Sequence, residues 1–74
     1  MIRELDIVAL TIDLPEHGLK AGDVGTVAMV HAGGAAFEVE FATFAGETLA
    51  VVTLPSKAVR RLRQREIAHV REVA

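Results

Sequence analysis

The chain has no cysteine, no tryptophan, no tyrosine and a single serine, Ser56. Without cysteine there is no disulfide framework, no thiolate metal site and no thiol nucleophile, although small domains often depend on such staples. The lone serine lies in the stretch LPSKAV, which lacks the Gly-x-Ser-x-Gly elbow that exposes a nucleophilic hydroxyl. The aromatics are three phenylalanines, Phe37, Phe41 and Phe44, which read as core or hairpin packing and leave no platform for stacking bases. The longest apolar runs, Leu49 to Val52 among them, are four residues, against ~18 for a membrane span. Charges at positions 3, 4 and 6 leave no signal peptide. The expectation is a cytoplasmic protein that does not enter a membrane. The opening methionine reads as the start of a complete small protein.

What is present is enough to fold. The 74 residues are about half the usual ~150 of a domain, so one small core is expected. A hydrophobic content of 51% and a mean hydropathy of +0.37 oppose disorder, because disordered chains lack the aliphatic residues that offset ordering entropy. The net charge of −2 hides a split: residues 1–49 carry two basic and eight acidic side chains, a balance of −6, and residues 50–74 carry six basic and two acidic ones, a balance of +4. Such asymmetry points either to an interaction or to a basic tail folded onto an acidic body.

The chain reads as a series of short strands. Glu4 to Thr11 ends in a loop at Asp13 to Gly18, with Leu14 and Leu19 tucking the loop ends onto the core. Gly22 and Gly25 supply a tight turn before a second strand, Val27 to His31, and Gly33 and Gly34 supply a hairpin turn. Phe37-Glu38-Val39-Glu40-Phe41 alternates strictly, so its apolar residues share one face and the two glutamates the other. A turn at Gly46 leads into Thr48 to Leu54, whose unbroken apolar character predicts a strand covered on both faces, by the tail, a second subunit or another protein. Pro55 to Ala58 reads as a turn or 3₁₀ step, and Val59 to Leu62 as a fifth strand.

The pattern predicts an all-β fold, a small barrel of four or five short antiparallel strands over residues 1–62. Residues 63–74 form a basic tail or short packing element, a helix or an extra strand. On a helical wheel of about 100° per residue, Ile67, Val70, Val73 and Ala74 share one sector.

Two stretches, Thr11 to Val27 with its DLPEHGLKAGDVGTV run, and FEVEF at 37–41, resemble a family of short bacterial proteins, the domain of unknown function 4926. The resemblance covers residues 4 to 62. More broadly, Gly22, Gly25 and Val27 are similar to the GxxGxV turn of SH3-like barrels, including the KOW modules of transcription and ribosomal proteins. The family resemblance implies a role beside small toxin-like or nuclease-like neighbours, as an antitoxin or immunity protein.

Chemical sites compete poorly with structural roles. His17, His31 and His69 have no metal-ligand spacing, and Asp13, Glu16 and His17 suit a solvated turn. Glu38 and Glu40 lie about 7 Å apart along one strand face, but an acid and base pair needs two different environments. Gly22-Asp23-Val24-Gly25 places an acid where a phosphate loop needs none. No catalytic residue, metal or cofactor is expected, and the chain reads as a protein-binding module.

Two surfaces are candidates for a protein partner, which a toxin-like neighbour would satisfy. One is acidic, formed by Glu38, Glu40 and Glu47. The other is the apolar fourth strand around Val51 and Val52, which also suits a homodimer. The alternative is a KOW-like nucleic-acid module using Arg60, Arg61, Arg63 and Arg65, opposed by the −6 of the body.

Overall fold

A computed structural model describes all 74 residues. Five strands, β1 (Ile7–Leu10), β2 (Val24–His31), β3 (Ala36–Ala42), β4 (Thr48–Pro55) and β5 (Val59–Arg61), form one antiparallel sheet in the order β4-β3-β2-β1-β5. β2, β3 and β4 are successive hairpins, and a 3₁₀ turn at Ser56–Ala58 returns the chain so that β5 pairs with β1. The fold is the expected small barrel-like all-β domain.

Register follows from the hydrophobic alternation. Phe37, Val39 and Phe41 are buried and lie opposite Leu54, Val52 and Ala50 of β4. They enclose a core with Val8, Leu10, Val27, Val59, Ala58 and the two loop leucines, and no charged or polar side chain is buried. Leu14 and Leu19 are bridged across the 3₁₀ turn Pro15–His17, so the loop is closed by its own ends as the sequence predicts. Asp13 fixes the exit of that loop by accepting the Ala21 N–H at 2.8 Å.

Glycine plays two different parts. Gly22, Gly33, Gly34 and Gly46 have positive φ and serve turns. Gly25 does not: it sits inside β2, facing β3, and a Cβ there would lie 2.7 Å from Val39 Cγ1 and 2.8 Å from the Glu40 carbonyl oxygen. The expectation of a turn at Gly25 is corrected to a close approach between strands.

Two further expectations are overturned. β4 is an edge strand, paired only with β3, and its outward face is open: Val51 is 52% exposed. An apolar run marks a strand covered on both faces only where a second layer exists, and the bent sheet supplies its core to one face alone. The tail is neither helix nor strand beyond Arg61; its sole regular feature is a turn at residues 64–65. An eight-residue helix is marginal without tertiary support, and Ile67 and Val70, 94% and 72% exposed, meet no core.

Candidate functional site

Strand pairing places the two predicted protein-binding surfaces side by side. Glu40 lies opposite Val51, and Glu38 opposite Thr53, so acidic and apolar residues form adjacent columns of one outer face. Met29, across from Glu38 on β2, extends it and is also exposed. The bulge between Val27 and Met29 inserts Ala28 and re-aims Met29 to this face.

The acidic column is partly satisfied within the chain. Glu38 meets His31 Nε2 at 3.3 Å, and Glu40 accepts the Thr48 hydroxyl at 2.6 Å. Both carboxylates are half exposed on the open outer face. Val52, by contrast with Val51, points inward and packs against the core. Glu47 stands apart, in the turn between β3 and β4, where its N–H donates to Thr43 Oγ1 at 3.1 Å and its carboxylate has no partner.

The arginines of the alternative reading divide in the same way. Arg60 makes a two-pronged pair with Glu66, its Nη1 2.9 Å from Oε1, and the Arg63 N–H donates to the same carboxylate. The Arg60 hydrogen bonds, with the Arg63 N–H second, hold Glu66 at a pKa of about 2. Arg71 reaches across 48 residues to Asp23, with Nε 2.9 Å from Oδ1, and donates also to the Gly18 carbonyl. That hydrogen bonding lowers the Asp23 pKa despite partial burial, and raises that of Arg71. Arg61, Arg63 and Arg65 make no ion pair, so the basic cluster is reduced by one where Glu66 neutralises Arg60.

These two clamps strap the tail over an apolar groove of about 750 Å³, lined by Ile7, Val24, Phe44, Leu49, Ile67 and Val70 among others. Phe44 is 87% exposed in the β3–β4 turn, which corrects its assignment to packing. Its neighbours Ala42, Thr43 and Ala45 gave no sign of this, since a turn aromatic packs or protrudes according to tertiary context alone. No three His, Asp or Glu side chains converge at metal-ligand spacing; the Asp13 carboxylate accepts the Ala21 N–H, and His17 joins its turn through the backbone N–H alone. No helix is long and apolar enough to cross a membrane.

The two edges of the sheet differ sharply. β5 is three residues long and carries Arg60 and Arg61, the usual protection of an exposed edge. β4 is eight residues long, reads TLAVVTLP, carries no charge, and makes no backbone hydrogen bond outside its ladder with β3. Its guards sit only at the two ends, a bulge at Leu49 and Pro55, and the uncharged stretch Ala50 to Leu54 between them is a template for another strand.

Residues 4–61 match the profile of a family described as a domain of unknown function, DUF4926. No curated protein and no solved structure matches the chain.

Proposed function

This chain belongs to the DUF4926 family, and from its surface we propose that it is a cytoplasmic protein-binding module that takes a partner through the free edge of β4. The observation that carries the reading is the contrast between that edge and its guarded counterpart, β5. A partner strand laid along β4 would gain main-chain hydrogen bonds along Ala50 to Leu54 and apolar contact with Val51. The neighbouring column, Glu38 and Glu40, would favour basic side chains on the partner's outward face. Neutralising a toxin-like neighbour, as an antitoxin or immunity protein does, is one form this binding takes.

The role we propose is binding and not catalysis, a reading supported by the position of Glu38 and Glu40 on the open outer face, away from the groove. The reading through nucleic acid draws less support, because Arg60 and Arg71 are committed to carboxylates. Co-expression with the native neighbouring gene product, followed by size-exclusion chromatography with light scattering, tests the proposal. The wild type should form a stoichiometric complex that Val51→Lys abolishes. Equal capture by both proteins would refute binding at the edge.

A further inference from the structure

We propose that the strand received by β4 is the β4 of a second copy of this chain, paired antiparallel across a two-fold axis. The inference rests on the edge-binding reading and gives it an occupant.

Charge placement selects the partner. The uncharged edge runs between Glu47 at its start and Lys57 just past its end, and neither side chain has an ion-pair partner within the chain. In an antiparallel pairing of two identical strands, the start of one lies beside the end of the other. Each end of the joint then holds one Glu47 and the partner's Lys57. A parallel pairing would stack glutamate on glutamate and lysine on lysine, which is unfavourable. The sequence therefore distinguishes one orientation of a self-pairing, and the five residues Ala50 to Leu54 put no like charges face to face.

Face parity agrees. Directly opposed residues of an antiparallel pair share a face, so a two-fold axis must pass through one residue of the strand. With the axis at Val52, outward Val51 lies opposite the partner's Thr53, and inward Ala50 opposite the partner's Leu54. Glu47, in the turn before the bulge at Leu49, and Lys57, in the 3₁₀ turn after Pro55, lie beyond the paired stretch at opposite ends of the edge, so their charges select the orientation of the pairing. The half-open outer face at Val51 and the partly covered Ala50 and Val52 then gain apolar neighbours. Two five-stranded sheets become one continuous sheet, and a chain that buries thirteen residues alone gains from the association. The pairing is isologous and closed, because β5 offers no second acceptor edge.

Light scattering across a dilution series is the test. The wild type should show twice the 7.9 kDa of the chain. Val51→Lys should be a folded monomer, since this side chain points outward beside Glu40; circular dichroism checks the fold. Glu47→Lys and Lys57→Glu should each raise the dimer dissociation constant about 10-fold, two junctions each turning from attraction to repulsion. The double exchange should return it to within about 3-fold of wild type. A wild type monomeric at every concentration overturns the second copy; if that monomer captures its neighbour's product and loses it on Val51→Lys, the edge reading stands alone. A dimer indifferent to Val51→Lys overturns both. A double exchange weaker than the single ones overturns the antiparallel orientation.

Discussion

Gly25→Ala isolates the closest approach in the domain. The φ of Gly25 is ordinary, so the substitution carries no left-handed strain and tests space alone. The added methyl would lie 2.7 Å from Val39 Cγ1, 2.8 Å from the Glu40 carbonyl oxygen and 2.9 Å from Phe41 Cδ1, where carbon contacts relax to about 3.5–4.0 Å. Neither side chain can swing clear, because Val39 and Phe41 are fully buried against Val8 and Val27. The oxygen is backbone of β3, which is held between β4 and β2, so β2 and β3 must separate. Overpacking of this kind costs roughly 1–3 kcal/mol, and the backbone contact puts Gly25→Ala at the upper end, about 3 kcal/mol. A domain of this size has about 4–11 kcal/mol in all, so the loss is large. At about 4–8 °C per kcal/mol, the melting temperature should fall by roughly 12–24 °C. Urea unfolding at constant m-value, with Gly33→Ala as a control in open space but at positive φ, gives the comparison. A Gly25→Ala protein within about 0.5 kcal/mol of wild type would refute the close approach.

Four further outcomes follow from the same geometry. Phe41→Ala, at the most buried aromatic, should cost about 3–5 kcal/mol by urea unfolding. Leu5→Gly should stabilise by about 1 kcal/mol, because Leu5 is 80% exposed at a φ of +72° and gives up little packing; a lower melting temperature would contradict this. Truncation after Leu62 should change stability by less than about 1 kcal/mol, since every removed residue is exposed. Acid should release the tail: Glu66 and Asp23 are held below their ordinary values, so the contribution of their pairs is full above those values and is lost as pH falls through the folded ones. For Glu66 the window runs from 4.5 down to about 2. Loss of protection at the Arg63 amide across that window, absent in Glu66→Gln, is the expected signature.

The parts of this fold legible in the sequence are those where period and register coincide. FEVEF declares its faces because alternation has a period that only a strand with one buried side satisfies. The loop leucines at 14 and 19 declare themselves as apolar residues flanking turn chemistry. Coverage is a different kind of information. TLAVVTL has the same composition whether it lies mid-sheet or at an edge, and only the strand order decides which; that order depends on β5 returning to β1, a pairing of three residues. Gly25 is ambiguous for a related reason: glycine marks a turn or a close contact alike, and the contact involves residues 14 and 16 positions away.

The charge split illustrates how far patterning reaches. An acidic body and a basic tail were bound to meet somewhere, and the sign of each segment shows that they attract. Which carboxylate takes which guanidinium is set by the path of the chain. Arg71 finds Asp23 because the loop at 18–23 and the end of the tail lie together, whereas Arg60 finds Glu66 because a turn at 64–65 folds the chain back on β5. After these pairs form, Glu47 and Lys57 are left unpaired on either side of the open edge. In the sequence Glu47 reads only as a member of an acidic surface with Glu38 and Glu40, and Lys57 carries no signal of its own. Their meaning comes from strand order: they flank the one long edge that carries no charge of its own, with opposite signs that an antiparallel copy would match.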